Sequence, residues 1–87
     1  MSTIEAVVAA EEGLHARPAA LFAQAVSATG ADVMISKDGG EAVDASSLLS
    51  LMTLGAKCGE TVTLSCEADN ADEILAELKK VIETPES

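Results

Sequence analysis

The sequence has almost no aromatic residues: among 87 residues there is no Trp, no Tyr and a single Phe, Phe22. This scarcity argues against binding of single-stranded nucleic acid, because such proteins stack bases on exposed aromatic rings. Basic residues are also few, 5 against 15 acidic residues, which gives a net charge of −10. That balance excludes non-specific DNA binding and argues against docking on an anionic membrane surface, since both depend on Lys and Arg.

Long hydrophobic segments are absent as well. No apolar run approaches the ~20 residues of a membrane-spanning helix, and the start of the chain lacks the basic and apolar stretches of a signal peptide. We therefore expect a cytoplasmic protein. Its two cysteines, Cys58 and Cys66, should be free thiols in that compartment, Cys58 in a loop and Cys66 as a small core residue. With two cysteines and one distant histidine, no metal site is expected, and no cofactor is expected.

The composition that remains is that of a globular protein. Hydrophobic residues make up 48% of the chain and charged residues 23%, values that indicate a folded and not a disordered chain. The length predicts one domain over residues 1–87. Its core must be built from Val, Ile, Leu, Met and Ala.

The spacing of apolar residues predicts four strands and three helices. Alternating patterns indicate strands, and stripes at helical spacing indicate helices, with Gly30 and Gly55 as helix stops. An Asp-Gly-Gly turn at 38–40 should join two of the strands. The predicted strands are 3–9, 31–37, 41–44 and 60–67, and the predicted helices are 16–28, 48–53 and a last one from about residue 71.

This order, βαββαβα, predicts an α+β fold. In the strand at 60–67 Val62, Leu64 and Cys66 alternate with Thr and Ser, so one face of the sheet should be wet. We expect an open α+β sandwich, in which a four-stranded antiparallel sheet has three helices packed on one face. In the first helix, the buried stripe is expected to consist of Leu21, Phe22, Ala25 and Val26. In the last helix, the apolar stripe is expected to consist of Ile74, Leu75, Leu78, Val81 and Ile82.

The strongest chemical signal is the pairing of His15 with Arg17, because each is the only residue of its type. Both lie where a turn enters the first helix, and the free N–H groups of a helix start bind anions such as phosphate. Arg17 would add a planar set of donors, and a neutral imidazole could attack phosphorus. The alternative is that His15 is a solvated surface residue or a simple helix cap. No partner for a Ser or Cys nucleophile and no nucleotide-binding loop is evident.

A second polar feature, Ser46-Ser47, precedes the short apolar helix. These residues either cap that helix or provide a regulatory phosphorylation site, because a phosphate is tolerated at a helix start. The apolar face of this helix is too large to serve only the core contacts of so short a helix. We expect part of the set Leu48, Leu49, Leu51 and Met52 to be exposed as a surface for docking a partner.

Two segments resemble signatures of the HPr family, the histidine-containing phosphocarrier proteins of the sugar phosphotransferase system. The sequence GLHARPA at 13–19 is similar to the active-centre signature, and SLLSLMTLG at 47–55 is similar to the second one. The length and the order of elements agree with the family, so the resemblance covers essentially the whole chain. It implies the family's fold, an open-faced β-sandwich with three helices.

The resemblance implies a role for each of these residues. His15 would accept a phosphoryl group on Nδ1 from phospho-enzyme I, which phosphoenolpyruvate charges, and would pass it to a histidine of enzyme IIA. Arg17 would stabilise the group, with Ala16 and Pro18 completing the phosphate-binding segment. Ser47, or its neighbour Ser46, would be the serine that an ATP-dependent kinase phosphorylates in some bacteria. The protein would be a monomeric intermediate in the relay and not a self-sufficient catalyst. Both partners would dock on Leu14, Ala20, Leu48, Leu51 and Met52.

The sequence departs from the family pattern in two respects. Lysines common in the family are replaced by Gln24, Ser27 and Ala45-Ser46, which weakens electrostatic steering. The serine also lies one residue further from His15 than is common. Two further functions remain open: a regulatory module that acts through Ser47 phosphorylation, and a branch that serves nitrogen regulation or a dihydroxyacetone kinase.

Overall fold

The computed structural model describes residues 2–9, 16–37 and 40–83, with Ala16 and Pro18 described by their backbone alone. Along these ranges the secondary structure follows the predicted order βαββαβα. The elements are β1 (Ser2–Val7), α1 (Ala16–Thr29), β2 (Val33–Lys37), β3 (Val43–Asp44), α2 (Leu48–Leu54), β4 (Thr61–Cys66) and α3 (Ala71–Glu83).

The four strands form one antiparallel sheet in the spatial order β1-β4-β2-β3. Leu64 of β4 pairs with Ile4 on one side and with Ile35 on the other. Every second residue of β4 is buried, as the alternating sequence predicts, and the Thr and Ser residues between them are half-buried. The sheet thus has one apolar face and one polar face, which confirms the open-faced sandwich.

One hydrophobic core joins the apolar face of the sheet to the helices. Its largest fully buried side chains are aliphatic apart from Phe22, which is 1% exposed, and Cys66. Cys66 is buried among them and Cys58 is exposed, and both are free thiols. The inward residues of β2, Val33 and Ile35, are buried as predicted. The core therefore consists mainly of Val, Ile, Leu and Ala, as predicted. Methionine was also expected there, but both described methionines, Met34 and Met52, are exposed.

The helical stripes differ from the prediction at Leu21, Ala25 and Val81; Ala25 is only half-buried, although it packs against the core. In α1 the buried side chains are Ala19, Phe22, Ala23 and Val26, at spacings of three, four and seven residues. Leu21 precedes Phe22 by one residue, about 100° around the helix, and is 51% exposed; its assignment to the buried stripe is wrong. In α3, Val81 lies at the border of the stripe and is 37% exposed.

Turns place the short helix α2 against α1. The backbone N–H of Gly40 donates to the Lys37 carbonyl at 2.8 Å after β2; the other two residues of the predicted turn, 38 and 39, lie outside the described residues. Gly55 ends α2 with φ of 69°, in the left-handed region that favours glycine. Helix α2 contacts both α1 and β3.

Candidate functional site at the start of α1 and on α2

Helix α1 begins at Ala16, so the sole histidine directly precedes it in the sequence. His15 and Leu14 lie outside the described residues, as do the side chains of Ala16 and Pro18. Arg17 is the second residue of the helix and is exposed. No acidic residue lies in the first turn. The charge of the Arg17 guanidinium therefore has the same sign as the positive end of the helix dipole and is not opposed within that turn. This helix start suits an anion electrostatically, although the chain as a whole is strongly acidic.

Helix α2 exposes three large apolar side chains on one side. Leu48, Leu49 and Met52, which we call the α2 face, are 40%, 76% and 45% exposed. At about 100° per residue they cover an arc of about 100°. The expectation that part of this helix is exposed is therefore confirmed.

Leu51 does not belong to the α2 face. Its side chain is 0% exposed, because it lies about 60° outside the exposed arc, toward the core. Its assignment to the docking surface is wrong. Leu49 belonged to the set expected to be partly exposed but was not among the residues expected to contact both partners. It is more exposed than any other large apolar side chain described. The limits of the helix do not fix which of its sides faces the core, so no sequence signal separated Leu49 from Leu51. Ala20, on α1, is half-buried.

The two candidate serines have different surroundings. Ser47 is the N-cap of α2, and its Oγ accepts a hydrogen bond from the Ser50 backbone N–H at 3.3 Å. The Ser46 hydroxyl instead donates to Oδ1 of Asp44 at 2.7 Å, and the Ser46 backbone N–H donates to the same oxygen at 2.9 Å. These two bonds lower the pKa of Asp44. Ser47 therefore faces backbone N–H groups, whereas Ser46 faces a carboxylate.

The loop after α2 is attached to the segment that follows β1. The Gly59 N–H donates to the Val8 carbonyl at 2.8 Å, and the Val8 N–H donates to the Glu60 carbonyl at 3.0 Å. The Glu60 carboxylate accepts the Lys57 backbone N–H at 2.8 Å and lies 3.7 Å from Lys37 Nζ. The Lys57 bond, assisted by the charge of Lys37, lowers the pKa of Glu60. The loop is thus held by the contact of Glu60 with Lys37 of β2 and by the backbone hydrogen bonds of Val8, which precedes Leu14 by six residues.

Neither a metal-binding cluster nor a membrane-spanning helix occurs in the described part of the chain. Residues 2–9, 16–37 and 40–83 contain no group of three or more His, Cys, Asp and Glu side chains placed to hold a metal ion. Over the same ranges, no helix combines the length and apolar character needed to cross a membrane.

Comparisons of sequence and of structure identify relatives of the same kind. A family model described as the PTS HPr component phosphorylation site matches residues 2–84. The phosphocarrier protein HPr of Streptomyces coelicolor is 45% identical over 71 residues, which cover 82% of this chain and 76% of that protein. The HPr-like protein Crh of Bacillus subtilis is 39% identical over 71 residues, 82% of each. The solved structure of HPr-C-His from Thermoanaerobacter tengcongensis has a TM-score of 0.86 at 37% identity, covering 95% of this chain and 92% of that one.

These likenesses place the open-faced sandwich in the class of small phosphocarrier proteins. Within that class, the chain belongs to the HPr family of the phosphotransferase system.

Proposed function

We propose that this chain carries a phosphoryl group on His15 between phospho-enzyme I and an enzyme IIA, acting as a monomer with one domain over residues 1–87. The observation that carries the proposal is the start of α1 at Ala16, directly after the only histidine. A nitrogen of the imidazole attacks phosphorus, a P–N bond forms, and the bond between phosphorus and the donor breaks. The reverse steps deliver the group to the next protein. The chain is a substrate of its partners and not a self-sufficient catalyst.

Arg17 is the residue proposed to stabilise the transferred group. Transfer of a phosphoryl group depends mainly on positioning and on charge stabilisation. A guanidinium in the first turn adds to the positive helix end there. An exposed site also suits a carrier, because two different partners must reach the same nitrogen.

The α2 face is the proposed docking surface, together with Leu14 and Ala20. Its three exposed apolar side chains can be buried by a partner, and the flexible Met52 can adapt to two different surfaces. Because Lys and Arg are few, docking here relies on apolar contact more than on steering by charge.

Ser47 is favoured over Ser46 as the regulatory phosphorylation site. A phosphate on Ser47 would lie beside the N–H groups at the start of α2, where negative charge is tolerated. A phosphate on Ser46 would lose the hydroxyl proton that now binds Asp44 and would oppose that carboxylate. A kinase that modifies Ser46 in preference to Ser47 would contradict this assignment.

Intact mass after incubation with phosphoenolpyruvate and a purified enzyme I tests the carrier role. We expect one added phosphoryl group that is labile to acid. His15→Ala should accept none, and Arg17→Ala should slow transfer more than it weakens docking. An unmodified protein beside a second carrier that the same enzyme I does phosphorylate would contradict the proposal.

The second candidate function is regulation through Ser47 alone. It is supported by the position of the Ser47 hydroxyl at the start of α2 and by the similarity to Crh, whose solution structure is described as that of the catabolite repression HPr of Bacillus subtilis. A protein that a serine kinase modifies, but that enzyme I does not, would establish it. The presence of His15 and Arg17 favours the carrier, because a purely regulatory module does not need them.

A further inference from the structure

The sheet has two edge strands of unequal length. In the order β1-β4-β2-β3, β3 has two residues and β1 has six. An edge of two residues offers little backbone to another chain, whereas six extended residues can template pairing. Val8, just after β1, bonds toward the β4 side. By the alternation of an antiparallel ladder, the backbone groups of Thr3, Glu5 and Val7 point away from β4.

Two side chains of α3 occupy this outer edge. Lys79 Nζ donates to the Glu5 carbonyl at 3.0 Å, and Glu83 Oε2 accepts the Val7 N–H at 3.1 Å. The two side chains also bind each other at 3.0 Å. The pair thus supplies a donor to one outward residue and an acceptor to the next, as a neighbouring strand would.

We propose that Lys79 and Glu83 close the β1 edge against pairing with β1 of a second copy of this chain. A second copy is the natural occupant because two identical antiparallel edges complement each other about a two-fold axis. With the register centred on Glu5, each copy would offer the three outward residues to the other. Glu5 would then face its own counterpart, and this like-charge contact is a second obstacle to pairing. The inference concerns association and does not depend on the carrier function.

The double variant Lys79→Met/Glu83→Ala removes both groups and leaves the net charge at −10. The matched control is Glu77→Ala/Lys80→Met, which removes the same charges from the same helix. Sedimentation velocity over a range of concentrations should show dimers of the first variant only. Its dimer dissociation constant should fall by about fivefold to tenfold for each hydrogen bond gained across the edge. Equal association of the two variants would overturn the proposal. So would the absence of association when Glu5→Gln is added to both variants, because that substitution removes the second obstacle.

Amide hydrogen exchange shows whether a dimer uses this edge. In the unmodified protein the Val7 amide should exchange more slowly than those of Thr3 and Glu5. In the dilute double variant this difference should vanish, and at high concentration all three amides should become protected. A dimer that leaves them unprotected, such as one formed by exchange of a strand, would contradict the inference.

The unmodified protein also provides a test that does not require the variant to fold. If its Val7 amide exchanges as fast as that of Glu5, the Glu83 carboxylate does not close the edge and the proposal fails. The single variant Glu83→Gln keeps an oxygen acceptor and should retain most of the Val7 protection, whereas Glu83→Ala should lose it.

Discussion

At the scale of single residues, two leucines of α2 that are two positions apart have opposite roles. Leu49 is 76% exposed and Leu51 is 0% exposed, although both belong to one apolar run. Two residues along a helix correspond to about 200°, so a partner can reach the first while the second supports the core. Substitution of Leu51 should therefore affect stability, whereas substitution of Leu49 should affect docking.

Leu51→Ala should lower the free energy of unfolding by about 2–5 kcal/mol, because it leaves a cavity in the core. Leu49→Ala should change it by less than about 0.5 kcal/mol and should weaken binding to the proposed partner, enzyme I, about tenfold through lost apolar contact. Urea denaturation and binding titrations measure the two effects. Loss of stability in Leu49→Ala comparable to that in Leu51→Ala would contradict the assigned faces.

At the scale of the element, α2 depends on its ends. It has seven residues and is bounded by the Ser47 cap and by Gly55 in a left-handed conformation. Isolated helices this short are unstable, so the cap and the contact with α1 must hold it. The stability of the proposed docking surface is therefore linked to the serine proposed for regulation.

Ser47→Ala should cost about 0.5–2 kcal/mol of stability, because the Ser50 N–H loses its side-chain acceptor. Ser47→Asn should cost much less, since its side-chain oxygen can take the same bond. Urea denaturation compares the variants, with Ser46→Ala as the adjacent control. Equal losses in Ser47→Ala and Ser47→Asn would show that capping is not the cause.

Helix α3 and β1 should also give the protein a dependence on pH. Hydrogen bonds from Val7 and then Lys79 lower the pKa of Glu83 from its ordinary value of 4.5. A carboxylate with a lowered pKa stabilises the fold above its unfolded pKa, and the effect is lost as pH falls through the folded pKa.

The stability difference between the unmodified protein and Glu83→Gln should therefore be constant above about pH 5 and shrink as pH falls below 4.5. Urea denaturation at a series of pH values measures it. Taking the difference removes most of the change due to the other acidic residues. A difference that grows toward acid would contradict the lowered pKa.

At the scale of the whole molecule, a net charge of −10 is confined to a body whose longest extent is 33 Å. At an ionic strength of about 0.01 M the Debye length is about 30 Å, so nearly all charges act on one another. Their mutual repulsion destabilises the compact state. The two ion pairs described, Lys37–Glu60 and Lys79–Glu83, are partly exposed and offset it little.

Raising the ionic strength from about 0.01 M to about 1 M, where the Debye length is about 3 Å, should raise the thermal midpoint. Calorimetry in sodium chloride measures the shift. The midpoint of unfolding by urea, an uncharged denaturant, at each salt concentration controls for solvent effects. A lower midpoint at high salt would mean that local ion pairs outweigh the general repulsion.

The sequence alone determined the order of elements, the antiparallel class and the polar open face, because local periodicity carries that information. The alternation of Val62, Leu64 and Cys66 with Thr and Ser is an example. It also placed His15 and Arg17 at a helix start, since short-range signals mark where helices begin. The family followed from two short motifs.

Tertiary structure decided what depends on contacts between distant residues. Which leucine of α2 is buried depended on the phase of that helix against the core, and the separation of Ser47 from Ser46 depended on where Asp44 lies. The hydrogen bonds at the β1 edge join Glu5 to Lys79 and Val7 to Glu83, which are more than seventy residues apart in the sequence. No local pattern records such contacts, because packing of α3 along β1 brings them together.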